Sequence, residues 1–448
     1  MKYSILAILF FLPFVVAAQD IASYDELGSV NVYHSPNNSC AAVVVSGSEG
    51  WKGQVVDIAK RLFNEQNCFV VGVDLNTYQA TLGDRDWICP ASDLVRGAIN
   101  LEKTYGMKKY VPPVLVGYHE GSAMTYLALS ENSDEFPGGF SFGFCPDISQ
   151  YRRPCKETDM GYKRLKDSGG MTLFPDPALD NPFVVIGTER IPKCSVASVG
   201  DFIKQMPSAS ILPAEKDWMP QFLAAVDLMK KHALAAPAVV PDMTLIEYPS
   251  QEKDTVAIIL SGDGGWVDLG RDLGDYLVSK KYAVVGFDTL QYYWNQRDPD
   301  SSANDMNRVI HGYLSAWKKQ RVLLIGYSYG ADVLPFMLRK MPAETRKRVA
   351  GVALIGPATK TQFEFNVSEL ERNPGPLTGQ PLQPELKHLK DTSVLCIGGF
   401  NERESLCRHI RNSKLKIPNL EIKMLETGHG FGNNPGSLAD YILQKFIH

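Results

Sequence analysis

The chain has 448 residues, with 46 Lys and Arg against 50 Asp and Glu and a formal net charge of −4. That length exceeds one ordinary core and suits about two domains of ~150–200 residues each. Apolar residues at 44% and charged residues at 21% make a globular composition, and the mixed charges exclude the concentrated basic face that a nucleic-acid binder needs.

The N-terminus opens with Lys2, an apolar run from Ile5 to Val16, and the small residues Val16-Ala17-Ala18. This pattern predicts a signal peptide over residues 1–18, with Gln19 as the mature start. The apolar run is shorter than the ~20 residues a spanning helix needs. No Cys follows it, which argues against a lipid anchor, and no later stretch is long and apolar enough to span. A soluble, exported, periplasmic protein is expected.

Eight cysteines fit an oxidising compartment. Cys40, Cys68, Cys89, Cys145, Cys155 and Cys194 lie in the first half, Cys396 and Cys407 in the second. Even numbers allow pairing within each half, with the connectivity left open. No CxxC or Cys/His cluster has metal-ligand spacing, so neither a metal nor another cofactor is expected.

The two halves repeat one another. AAVVVSGSEGW (41–51) answers to TVAIILSGDGGW (255–266). In each, an apolar strand runs into Ser-Gly, an acidic and Gly-rich turn, and Trp. A helical stretch follows, QVVDIAKRLFNEQ in one half and LGRDLGDYLVSKK in the other. Each leads to a second strand ending in Gly-x-Asp, CFVVGVD (68–74) and YAVVGFD (282–288). A third matched pair is VPPVLVGYHEG (111–121) and RVLLIGYSYG (321–330).

Strands alternating with helices, in apolar runs without period-two alternation, predict mostly parallel sheets buried on both faces. The fold class is therefore α/β, as two tandem α/β-hydrolase-like domains, each a mostly parallel sheet with helices on both faces. The Ala- and Pro-containing stretch 230–243 sets the boundary near residue 238. The domains are then 19–238 and 239–448.

In the second half, GYSYG sits between the buried strand RVLLIG and the helical ADVLPFMLRK. Strand, tight turn and helix form the setting of a nucleophile elbow, which points to Ser328 as nucleophile. A hydrolase of this type orders its triad Ser, acid, His along the chain. His429, in LETGHGFG after a strand, is the candidate base; His311, His388, His409 and His448 lie in less apt places. The acid is expected in FNERES, after the strand DTSVLCIGG, with Glu402 favoured over Glu404. Oxyanion donors are expected from the backbone N–H of Tyr329 and from Asp263 or Gly264 in the turn SGDGGW.

Asp263 and Asp332 are candidate carboxylates for a cationic substrate. The helix dipole gives Asp332 a second explanation. Tyr327, Tyr329, Tyr292, Tyr293 and Trp294 could line a pocket, and packing explains such aromatics equally well.

The first half reads GYHEG at the elbow, with His119 in place of Ser. Glu189 stands where an acid would, and the stretch 211–218 that answers to the His429 loop has no His. A non-catalytic copy is expected, with an activity built on His119 and Glu120 as the alternative.

SGDGGW, GYSYGADVLPF and ETGHGFG together resemble the VirJ/AcvB family of exported bacterial proteins, most strongly from residue 255 onward. The longer AcvB-type members also carry an N-terminal copy. The resemblance implies a periplasmic lysyl-phosphatidylglycerol hydrolase with Ser328 and His429 in catalytic roles. In the acid loop, FNERES has two Glu where many relatives are richer in Asp. It also implies transient docking on a membrane surface to reach an aminoacyl-phospholipid, and links to virulence and type IV secretion components. A different periplasmic esterase or lipase, or a binding module that assists secretion, are the competing functions.

Overall fold

A computed structural model describes residues 18–447 except 36, 133–134, 156–159, 168, 188–193, 214–219, 221–225, 227–238, 241–242, 368–376, 403, 414 and 432–433. Residues 1–17 of the expected signal peptide, the boundary at residue 238 and Glu189 lie outside this set. The chain divides into two compact units, Met1–Met107 with Val111–Ala233, and Lys108–Tyr110 with Leu234–His448.

The first unit is built on β1 (Ala18–Tyr24), β2 (Gly28–His34), β3 (Cys40–Val45), β4 (Cys68–Val73), β5 (Val114–Tyr118), β6 (Gly139–Phe142), β7 (Phe183–Ile186) and β8 (Ala209–Leu212). Their order in the sheet is β1-β2-β4-β3-β5-β6-β7-β8. The second unit has β9 (Leu245–Tyr248), β10 (Thr255–Leu260), β11 (Ala283–Phe287), β12 (Arg321–Tyr327), β13 (Val349–Ile355), β14 (Val394–Gly399) and β15 (Leu420–Leu425). Their order is β9-β11-β10-β12-β13-β14-β15. Once β1 is set aside, the two orders are the same. In each sheet one antiparallel strand, β2 or β9, precedes a run of parallel ones.

The repeated residues have the same work in both units. Ser46 Oγ accepts the Leu75 N–H at 3.1 Å, and Ser261 Oγ accepts the Thr289 N–H at 3.0 Å. Each bond ties the end of one strand to the start of the helix after the next. The Gly of Gly-x-Asp makes room for the repeated Trp: a Cβ on Gly72 would collide with the Trp51 ring, and one on Gly286 with the Trp266 ring. The Asp then caps a helix. Asp74 accepts from the N–H groups of Asn76 and Thr77, and Asp288 from that of Gln291.

Helices cover both faces of the second sheet: α3 (Asp268–Ser279), α4 (Pro299–Ala316), α5 (Tyr329–Lys340), α6 (Leu406–Asn412) and α7 (Pro435–Phe446). In the first unit the matching helices after the turn and the elbow are α1 (Gln54–Gln66) and α2 (Glu120–Glu131). Along β10, Val256, Ile258 and Leu260 pack on one side with Met306, Ile310 and Leu334 of α4 and α5. Ala257 and Ile259 pack on the other with Leu273 of α3 and Ile442 of α7. Both clusters are buried, which accounts for the unbroken apolar runs. Each large side chain so buried contributes about 1.5–3 kcal/mol.

Four disulfides form, and each joins cysteines of one half: Cys40–Cys68, Cys89–Cys155, Cys145–Cys194 and Cys396–Cys407. The last ties β14 to α6 across the loop that carries Glu402. Among the described residues no helix is long and apolar enough to cross a membrane.

Candidate active site

The parallel strands of the second unit all end at one edge of the sheet, where three loops and a turn converge. β12 runs directly into Ser328, which has φ 51° and ψ −120° and begins α5. That backbone conformation is strained for a residue with a Cβ. The flanking glycines make it possible. A Cβ on Gly326 would stand 2.6 Å from the Gly330 carbonyl oxygen, and one on Gly330 would collide with the Leu260 and Ser261 carbonyls. The turn is fixed by hydrogen bonds from Ser328 N–H to Ile355 O at 2.8 Å and from Gly330 N–H to Ser261 O at 3.0 Å.

His429 lies in the loop after β15, with Nε2 2.8 Å from Ser328 Oγ and Nδ1 2.8 Å from Glu402 Oε1. Glu402 follows β14, and its second oxygen accepts the Gly399 N–H at 2.7 Å. Its side chain is only 4% exposed, against 51% for His429. Glu404, the competing acid, is exposed to solvent. The chain separates Ser328, Glu402 and His429 widely, and the sheet edge gathers them into one hydrogen-bonded line.

Two neighbours of this line escaped the sequence reading. Tyr327, considered there only as a pocket aromatic, stacks on the His429 ring at 5.7 Å with 28° between planes. Its hydroxyl donates to the His429 carbonyl at 3.4 Å. Gly356, at the end of β13, has φ +65°. A Cβ there would stand 2.9 Å from Glu402 Oε1 and 3.0 Å from His429 Cε1. Glycine is therefore required where acid and imidazole meet. Nothing in the local sequence IGPA marks it.

The turn SGDGGW lies beside the elbow. A Cβ on Gly262 would be 3.4 Å from the Cβ of Ser328. Gly262 and Gly265 bridge one another, with Gly265 N–H donating to Gly262 O at 3.2 Å. Asp263 and Gly264 form the tip between them and are partly exposed. Tyr329 opens α5, and its hydroxyl donates to Gln362 O at 3.1 Å.

Other candidates have different surroundings from those expected. Asp332 is buried, and its Oδ1 accepts the Ala358 N–H at 2.7 Å. It pins the loop after β13 to α5, which gives this carboxylate a structural role. Tyr292, Tyr293 and Trp294 are buried with the core and do not line an open site. Asp288, behind the turn, has its carboxyl pushed up to about 6 by burial, against the N–H donations of Gln291 and Leu290.

In the first unit the elbow recurs with His119 at φ 49° and ψ −118°. The flanking residues repeat as well: a Cβ on Gly121 would collide with the Val45 and Ser46 carbonyls.

Strand order, elbow and the line from serine through histidine to a buried carboxylate define the second unit as an α/β-hydrolase domain. Residues 254–448 match the family model for VirJ, described as a bacterial virulence protein. Solved structures similar to the chain include a lipase-esterase related protein from Clostridium acetobutylicum. It is 17% identical with a TM-score of 0.35, covering 46% of this chain and 99% of that one. Naproxen esterase from Bacillus subtilis is 15% identical with a TM-score of 0.33, covering 45% and 86%. A putative dienelactone hydrolase from Klebsiella pneumoniae is 12% identical with a TM-score of 0.32, covering 45% and 98%. No curated protein matches the chain.

Proposed function

We propose that the second unit is an exported serine esterase that hydrolyses lysyl-phosphatidylglycerol to lysine and phosphatidylglycerol. The observation that carries the hydrolytic reading is the line Ser328–His429–Glu402, with both hydrogen bonds at 2.8 Å. Ser328 Oγ attacks the aminoacyl carbonyl while His429 Nε2 takes its proton. Glu402 holds Nδ1–H and so presents the unprotonated Nε2 to the serine. The tetrahedral oxyanion forms beside the N–H groups of Tyr329 and of Asp263 or Gly264. His429 then protonates the departing glycerol oxygen. Water, activated by the same imidazole, releases lysine from Ser328.

The substrate proposal rests on the resemblance to VirJ/AcvB proteins together with the chemistry. The scissile bond is an ester, which an acyl-enzyme cleaves readily. A lysyl group brings ammonium charge, and Asp263 at the turn is the carboxylate nearest in sequence to the oxyanion donors. A lipid substrate calls for transient docking at a membrane surface, and the family adds type IV secretion components as partners. Four disulfides support an oxidising, periplasmic location.

The reading is tested by incubating the mature protein and its Ser328→Ala variant with lysyl-phosphatidylglycerol and with an uncharged ester. The expected result is lysine release by the native protein alone. Turnover of only the uncharged ester would reject the aminoacyl-lipid substrate, and equal turnover by both proteins would reject the nucleophile.

A further inference from the structure

The internal repeat exposes a second cluster of chemically active side chains, in the first unit. Ser46 to Trp51 answers to Ser261 to Trp266, and Gly117 to Gly121 answers to Gly326 to Gly330. His119 therefore takes the place of Ser328, Glu49 that of Gly264 and Glu120 that of Tyr329. Where the second unit has glycine and tyrosine around its nucleophile, the first unit has two carboxylates around an imidazole. The corner beside the elbow is therefore acidic in the first unit.

The geometry follows the substitution. His119 Nδ1 stands 3.4 Å from Glu49 Oε1. Glu120 accepts from both the N–H and the hydroxyl of Ser48, at 3.0 and 2.8 Å. Ser48 matches Asp263, so the Glu120 carboxylate occupies the first unit's counterpart of the oxyanion corner. One ligand atom from each of His119, Glu49 and Glu120 falls within 4.8 Å of the others. Glycine at position 47 leaves the space for this. A Cβ there would come within 2.7 Å of Glu49 Oε2, 2.9 Å of Glu120 Oε2 and 3.0 Å of His119 Cβ.

We propose that His119, Glu49 and Glu120 form a binding site for a divalent metal ion. One imidazole nitrogen and two carboxylates suit zinc or manganese better than calcium, which prefers all-oxygen cages. With metal–ligand bonds of about 2.1 Å, neighbouring ligands of a tetrahedral centre lie about 3.4 Å apart. His119 Nδ1 and Glu49 Oε1, now paired directly with one another at 3.4 Å, would keep about that separation around an ion. Glu120 keeps lone pairs beyond its two bonds to Ser48, and those bonds orient it as outer donors orient a metal-ligating carboxylate. Tyr118 stacks on the imidazole at 4.1 Å and 22°. The cluster faces solvent, so water completes the coordination. The other gathering of ligating residues among those described, Cys145, Asp147 and Cys194, has both its sulfurs in a disulfide.

The test uses the mature chain without a polyhistidine tag, stripped by chelator and titrated with Zn²⁺ and, separately, Mn²⁺ by calorimetry. The expected result is one saturable ion per chain. Affinity should fall at least tenfold in Glu49→Gln and in His119→Ser. Serine is the residue that the second unit holds in the same backbone conformation, and Glu49 is exposed, so both variants should keep the metal-free unfolding midpoint. Native protein that takes up no stoichiometric ion would overturn the site. Uptake unchanged in Glu49→Gln would do so even if His119→Ser failed to fold. Ser328→Ala should bind metal like the native chain, which separates this site from the hydrolytic one.

Discussion

Replacing Glu402 by Gln isolates what the buried acid does. Its two oxygens have separate partners, His429 Nδ1 at 2.8 Å and the Gly399 N–H at 2.7 Å. A glutamine must keep its carbonyl oxygen toward the Gly399 N–H, since an amide NH₂ there would set donor against donor. Its NH₂ group then faces His429 Nδ1 and demands an acceptor. The imidazole answers by carrying its proton on Nε2, where it can no longer take one from Ser328. The wrong tautomer in a serine triad costs about 10⁴-fold in kcat, or about 5.5 kcal/mol of transition-state stabilisation. The size and packing of the side chain are nearly unchanged, so circular dichroism and unfolding midpoint should stay close to native. The assay is kcat and KM on a chromogenic ester, with Glu404→Gln alongside as the exposed control expected to retain native rates. A Glu402→Gln enzyme within tenfold of native, or a larger loss in Glu404→Gln, would refute the role assigned to Glu402.

Gly356→Ala should lower kcat by about 10²-fold with little change in KM, because the new Cβ intrudes on both Glu402 and His429 and misplacing catalytic groups by ~1 Å costs that much. Steady-state kinetics check it, and native kcat would show that the space is not needed. Asp288 bears on stability. Its carboxyl is pushed up to about 6 from an unperturbed 3.8, so between these values the folded state binds more protons than the unfolded one. Stability from this group is therefore greatest below about pH 4 and falls as pH rises through 6, by at most about 3 kcal/mol and less as solvent reaches the side chain. Urea unfolding of native and Asp288→Asn proteins from pH 4 to 7 should show the downward slope flattened in the variant. Parallel slopes would refute it.

The repeat was legible because each of its residues has a mechanical task that few side chains perform. Only glycine leaves room for Trp51 and Trp266, and a carboxylate suits the helix starts at Asp74 and Asp288. Ser328 and His429 were legible for a related reason, since the elbow and the chain order of a triad leave few alternatives. Glu402 was favoured over Glu404 by its place three residues after Gly399, and the path of the loop buries the first and leaves the second exposed. The partner of Asp332 was not legible, because a carboxylate early in a helix looks alike whether it meets solvent or a backbone N–H, here that of Ala358. The aromatic run Tyr292-Tyr293-Trp294 stayed open between pocket and packing, since burial is set by neighbouring strands distant in sequence; the structure buries all three. Gly356 was invisible because its φ of +65° arises at a strand end with no turn signature. The Glu49 and Glu120 substitutions were open to view in the aligned halves. They acquired meaning once the Ser48–Glu120 bonds and the approach of Glu49 to His119 were known.

The account turns on a nucleophilic Ser328 activated by His429, and covalent labelling reads this directly. The mature protein is treated with a fluorophosphonate and the adduct mapped by peptide mass spectrometry. One modification per chain is expected, on the peptide containing Ser328, absent in Ser328→Ala and strongly slowed in His429→Ala. No adduct on native protein, or an adduct on another serine that persists in Ser328→Ala, would contradict it.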